Sequence, residues 1–220
     1  MKIATWNVER LKYKRELPQI IEICNQIAAD IFVLTETDSA LKPNHNSCFQ
    51  TLPSTDAFVP YHSSEKRVAI YTNCELVGQH ETFNGQTAIC AELLTDYGNL
   101  IVYGVVMGVF GNRHQNFMTD LPHILSDIER LATLGKHLCL CGDFNCSFSD
   151  NYYYTKAGRA AIEETIKKTN LELLTRNQPE CIDHIAISRK FFNTSAVRVD
   201  EWNSDKKLSD HKGIFVELKR

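Results

Sequence analysis

Three features of the sequence predict a fold of mixed strands and helices in which sheets pack against helices. The first is a strand–helix–strand succession from Lys2 to Glu36. The second is a pair of apolar, β-branched runs flanking the turn sequence "DYGN", and the third is a late series of strand, helix and three closing strands. At 220 residues, 43% hydrophobic and 23% charged, the chain has the size and apolar content of one soluble domain spanning residues 1–220.

The elements follow in order. "KIATWNV" (Lys2 to Val8) reads as a strand, and "ELPQIIEICNQIAA" places Ile20, Ile23, Cys24 and Ile27 at helical spacing. "IFVLTE" (Ile31 to Glu36) is the next strand. The stretch from Thr37 to Lys66 contains three prolines and no period, which predicts a long loop. "RVAIYT" (Arg67 to Thr72) and "QTAICAELLT" (Gln86 to Thr95) are strands, and "DYGN" turns the second of them into "LIVYGVVM" as a hairpin. Leu121, Ile124, Leu125, Ile128 and Leu131 mark an amphipathic helix from about Asn116 to Leu134. "HLCLCGDFN" returns as a buried strand and "GRAAIEETIKKT" as a helix. "CIDHIAIS", "AVRVDEW" and "KGIFVELK" close the chain as strands.

Composition excludes some functions. No run approaches the roughly 18 apolar residues of a membrane span, and the N-terminus lacks a signal-peptide core, so a cytoplasmic protein is expected. With 24 Lys and Arg against 27 Asp and Glu, the formal charge of −3 provides no broad basic field for gripping duplex nucleic acid. The eight cysteines lack the paired spacing of closed zinc sites, and reduced, buried thiols are expected.

Polar residues gather at the predicted strand ends. "LCGDFN" finishes an apolar run on Asp143 and Asn145, two positions apart and able to converge on a ligand if the chain stays extended; a simple turn is an equal reading of the hexapeptide. Asn7, Glu36, Asp183, Asp210 and His211 occupy similar places. Singly, each has an ordinary role as a turn, cap or surface residue. Together they are harder to explain, because carboxylates near strand ends need compensating cations, and no run of Lys or Arg stands near Glu36, Asp143 and Asp210 in the sequence. Oxygen ligands of this kind suit magnesium or manganese, which keep waters that a phosphate oxygen can replace.

The motifs "WNV", "LTE", "GDFN", "IDHI" and "SDH", in this order from Trp6 to His211, resemble the endonuclease/exonuclease/phosphatase superfamily of metal-dependent phosphodiesterases. The resemblance implies an α+β, four-layer α/β/β/α sandwich of two packed mixed β-sheets, with the site at one edge between them. It implies metal contacts from Asn7, Glu36 and Asp210, a water-orienting Asp143, and an Asn145 that binds that water or the scissile phosphate. It also implies an Asp183 that orients a phosphate-binding or proton-transferring His211, with Glu9 near a metal-bound water. Many nuclease relatives carry Tyr or His, then Pro and Asn, before the long helix; here "VYGVVMG" keeps Tyr103 alone, and "GNRH" offers Arg113 and His114 as further phosphate contacts. "NYYY" (Asn151 to Tyr154) presents either base-stacking faces or aromatics that pack a loop.

The expected partner is a phosphate ester, with short or single-stranded nucleic acid fitting the charge better than duplex, and the protein is expected to act as a monomer. A phosphomonoester or lipid-head-group substrate, and a non-catalytic binding domain, are the alternatives on the same fold.

Overall fold

The computed structural model describes residues 1–12, 14–55, 60–108, 111–192 and 196–219. Among them run β1 (Lys2–Asn7), α1 (Leu17–Ile27), β2 (Ile31–Asp38), β3 (Ser47–Gln50), β4 (Glu65–Thr72), β5 (Glu75–His80), β6 (Ala88–Thr95) and β7 (Gly98–Val106). The chain continues through α2 (Gln115–Ala132), β8 (His137–Asp143), α3 (Lys156–Lys168), β9 (Leu171–Leu173), β10 (Asp183–Ser188), α4 (Arg189–Phe192), β11 (Ala196–Trp202) and β12 (Gly213–Lys219). The long loop expected between Thr37 and Lys66 contains β3, an edge strand too short to show a period. Residues 56–59 of that stretch lie outside the described residues. The short strands β5 and β9 also escape the sequence pattern.

Two six-stranded sheets form among these residues, in the orders β11-β12-β1-β2-β4-β3 and β5-β6-β7-β8-β10-β9. The pairs β1–β2 and β7–β8 are parallel and their other neighbours antiparallel, so both sheets are mixed. Alternation along each strand decides which layer a residue enters. Ile3, Val33, Val68 and Ile70 of the first sheet meet Val102, Cys139, Cys141 and Ile185 of the second in the core between the sheets. Their neighbours Ala4, Trp6, Phe32 and Leu34 face the other way, against Ile20 and Cys24 of α1. Ile101, Tyr103, Leu138 and Leu140 likewise pack on Leu121, Ile124 and Ile128 of α2 and Ile162 of α3. The result is the expected four layers, helix, sheet, sheet, helix.

All eight cysteines are free, and Cys139 and Cys141 serve as small apolar side chains between the sheets. No helix among the described residues is long and apolar enough to cross a membrane.

Candidate active site

The residues that alternate into the inter-sheet layer are apolar at mid-strand and polar at one end. On β8, Cys139 and Cys141 precede Asp143; on β10, Ile187 and Ile185 run back to Asp183; on β1, Ile3 and Thr5 lead to Asn7. Asp183 and Asp143 are register partners across β8 and β10 and are 1% and 2% exposed. Two buried carboxylates facing each other repel unless a cation intervenes. His211, in the connection between β11 and β12, supplies one. Its Nδ1 lies 2.6 Å from Asp183 Oδ2, and the pair forms with Asp143 a cluster whose ligand-capable atoms all fall within 4.8 Å of one another.

Local backbone strain aims two further side chains. Glu36 has φ 44°, in the left-handed region that non-glycine residues avoid, and the β2–β4 pairing skips it between Thr35↔Val68 and Thr37↔Lys66. Regular alternation would send Glu36 after Phe32 and Leu34 toward α1; the break turns it to the cavity instead. Asn145 is left-handed as well, at φ 48°. Gly142 and Asp143 belong to the strand and Asn145 to the turn after it, so the convergence of Asp143 and Asn145 comes from the turn rather than from an extended pleat. The Asn145 N–H donates to Asp143 Oδ1 at 2.8 Å. Its Nδ2 donates to the carbonyls of Met107 and Gly108 at 2.9 and 3.2 Å, and Asn112 Nδ2 holds its carbonyl at 2.7 Å.

Glu36, Asp143, Asn145, Asp183, Asp210 and His211 line one cavity of about 360 Å³. Burial raises the pKa of Asp143 to about 7; His211 and the Asn145 N–H oppose the shift, and Asp183 and Glu36 add to it. Burial likewise raises Glu36 and Asp183, each opposed by His211. For His211 burial works the other way and would lower the imidazole, but the charge and hydrogen bond of Asp183, with Asp143 and Asp210, lift it to about 10. One imidazolium thus faces the buried pair Asp143 and Asp183, while Glu36 feels the positive charges of Arg10 and Arg67 besides. Asp183 Oδ1, moreover, is buried with no hydrogen-bond partner among the described residues. This surplus of oxygen donors fits a hard divalent cation.

The remaining expected residues are placed less centrally. Asn7 touches the cluster through Nδ2, which donates to Asp143 Oδ2 at 3.2 Å, while its Oδ1 accepts the Glu9 N–H at 2.9 Å. In this arrangement its amide nitrogen faces the cluster and its oxygen is turned to the Glu9 N–H. Asp210 stands at the rim, its Oδ1 3.7 Å from His211 Nε2. Glu9 pairs with Lys12 at 2.7 Å in a neighbouring groove beyond Glu36. Arg113 is exposed, its guanidinium 5.8 Å from the centre of the Tyr153 ring that lines the cavity. Tyr103 is not part of the site. It alternates toward the helices, is fully buried, and donates its hydroxyl to Asp127 of α2 at 3.0 Å.

Sequence reasoning missed Asn112, Ser209, Lys206 and Lys212. Ser209 accepts the His211 N–H at 3.2 Å and donates to Asn7 O at 2.6 Å, tying the end of β1 to the segment that leads into β12. Its only signal was its place in "SDH". Asn112 sits beside the Arg113 singled out in "GNRH", and nothing in an isolated Asn marks it as buried.

A sequence model of the endonuclease/exonuclease/phosphatase family matches residues 4–211. No curated protein matches the sequence. Among solved structures, a 3'-5' exonuclease (NExo) from Neisseria meningitidis superposes with a TM-score of 0.72 at 20% identity, covering 100% of both chains. A single-residue variant of the 3' phosphatase NExo from Neisseria, bound to product DNA hairpin, does so with 0.71 at 19%, and an AP endonuclease from Archaeoglobus fulgidus with 0.68 at 14%, each again covering both chains fully. At these identities the superpositions speak for a shared fold, and the family match adds the motifs in their order. Strand ends from both sheets, a paired Asp183 and His211 and a match running from β1 to His211 agree: the chain belongs to the endonuclease/exonuclease/phosphatase family.

Proposed function

We propose that the chain is a divalent-metal-dependent phosphoesterase that hydrolyses phosphodiester bonds of a nucleic acid or nucleotide. The observation that carries this reading is the cavity in which a near-neutral Asp143, an imidazolium held by Asp183 and the extra carboxylate of Glu36 meet. A carboxylate whose pKa lies near 7 is matched to take a proton from water at neutral pH. With the Asn145 amide nitrogen engaged by carbonyls, its Oδ1 is the group it offers, and an acceptor suits a water hydrogen rather than an anionic phosphate. His211 keeps Nδ1 on Asp183 and has Nε2 left to donate to a phosphoryl oxygen. Glu36, with Asp210 at the rim, would hold a magnesium or manganese ion, which when bound supplies neutralising charge for the phosphoryl oxygens.

Hydrolysis of bis(p-nitrophenyl) phosphate with magnesium or manganese, compared with the same protein in EDTA, tests the reading. Asp143→Asn is expected to slow turnover by roughly 10³-fold. It should leave the melting temperature equal or higher, because a repulsive buried carboxylate is removed. Absence of turnover by the folded protein, or an Asp143→Asn variant at the normal rate, would overturn it. The Neisseria 3' phosphatase favours a second reading, a terminal phosphomonoester on a nucleic acid. Comparing p-nitrophenyl phosphate with the diester decides between them.

A further inference from the structure

The cavity wall is not made of carboxylates alone: beside Glu180 it carries Tyr152, Tyr153, Lys206 and Lys212, and among the described residues Ile182 is its only aliphatic side chain. Such a wall has little to offer an acyl chain and much to offer a flat aromatic ring bearing anionic substituents.

Hydrogen bonds within the chain hold this part of the wall in place. Ser147, fully buried, accepts the Tyr153 N–H at 2.8 Å and donates its own N–H to Tyr153 O at 2.7 Å, while Asp150 accepts the Tyr152 N–H at 3.0 Å. Tyr153 packs so tightly on the neighbouring loop that a Cβ at Gly111 would lie 2.1 Å from its hydroxyl. Lys206 arrives on a turn in which the side chain of Asn203 holds the carbonyls of Ser209 and His211 at 2.9 and 2.7 Å, so its position is fixed relative to the catalytic imidazole. The Lys206 ammonium donates to Tyr152 Oη at 2.8 Å and lies 4.5 Å from the ring centre.

The partners of the nearby lysines differ in a telling way. Lys207 pairs with Asp205 and Lys212 with Glu201, whereas no carboxylate among the described residues lies within ion-pair distance of Lys206. Its charge is presented at the lip of a cavity whose floor is acidic. Tyr152, with Lys206 on its ring, is still 45% exposed. Tyr154, the third tyrosine of the run, instead packs against the core with Arg159 3.7 Å from its ring centre.

We infer that Tyr152 and Lys206, backed by Tyr153, form a nucleoside subsite: the base next to the scissile phosphate stacks on Tyr152 and the adjoining phosphate binds the Lys206 ammonium. The substrate class is the unpaired end of a polynucleotide. An unpaired base can turn a full face to an aromatic ring, which a base stacked inside a duplex cannot, and a chain of formal charge −3 gains more from stacking than from neutralising a duplex backbone. This rests on the phosphoesterase reading and narrows it.

The test is calorimetric titration of the full chain carrying Asp143→Asn, with manganese present, using tetrathymidylate and a tetramer of the same backbone without bases. Tetrathymidylate is expected to bind about tenfold or more tightly than the base-free tetramer. Adding Tyr152→Leu should bring it down to the base-free level, and Tyr152→Phe should retain the preference. Lys206→Gln should weaken both tetramers alike and flatten their salt dependence. Equal affinity for the two tetramers, or a preference that survives Tyr152→Leu, overturns the subsite. Bis(p-nitrophenyl) phosphate hydrolysis by the unsubstituted chain separates the two levels: turnover without base preference removes the subsite alone, and no turnover removes the parent reading with it.

Discussion

Two histidines, the fully buried His184 and the partly buried His211, lie close together in this molecule and are held in opposite charge states. His184 follows Asp183 on β10 but faces the helical layer, between Phe144 and Phe148 with ring centres 5.4 and 4.9 Å away. Its Nε2–H donates to Cys146 O at 3.0 Å and its Nδ1 accepts the Thr175 hydroxyl at 2.9 Å, a neutral pairing that burial enforces by lowering the pKa to about 4. His211 faces the carboxylates of the inter-sheet edge and is lifted to about 10, against the opposing effect of burial. One residue of alternation on β10 thus separates a core imidazole, His184, from the carboxylate that holds an imidazolium, Asp183. Burial alone does not set the charge of a histidine; the sign of its neighbours does.

The largest test of this contrast is His211→Gln, which should reduce phosphodiester turnover by roughly 10² to 10⁴-fold while the chain remains folded. A rate near that of the unsubstituted protein would make His211 as structural as His184. Next comes the pH dependence of stability. The folded pKa of His184 is depressed below its ordinary 6.5, so its contribution is present above about pH 6.5 and is lost as pH falls through about 4. Urea midpoints should fall across that window by an amount corresponding to roughly 3 kcal/mol, and His184→Gln should flatten the change. His211 has the reverse window, its folded pKa being raised: its contribution is present below 6.5 and lost as pH rises through about 10. A smaller effect is expected from Asn112→Ala, which releases the strained Asn145 from its carbonyl anchor. About a tenfold loss in kcat with little change in KM would separate positioning from binding. Smallest is Tyr103→Phe, which should cost about 1 kcal/mol in urea unfolding through the lost bond to Asp127 and leave turnover unaltered.

Much of the architecture was legible because long strands and amphipathic helices impose clear periods. "IFVLTE" and the Leu121 to Leu131 stripe are examples, and both elements lie within a residue or two of their expected bounds. β3, β5 and β9 were not, since strands of three to six residues at sheet edges or under irregular pairing carry too few buried positions to show alternation. In the site, Asp143, Asp183 and His211 stood out because polar groups ending apolar runs are unusual. Tyr103 was misplaced for a physical reason: a tyrosine in a strand faces one of two layers, and only the register against β8 decides that it joins α2. Asn112 and Lys206 act from loops, where periodicity says nothing about direction.

The first sheet gives the acidic pocket a peculiar order of assembly. β1 lies between β2 and β12, so Asn7 and His211 become neighbours only when the two far ends of the chain pair, as Met1 and Leu218 do through reciprocal hydrogen bonds at 2.8 and 2.7 Å. A ribosome-bound intermediate with every residue through Asp210 already released would still lack this closure. The same geometry makes β12 a vulnerable point: a protease that clipped the chain just before Gly213 would dismantle the pocket without removing a single residue that lines it.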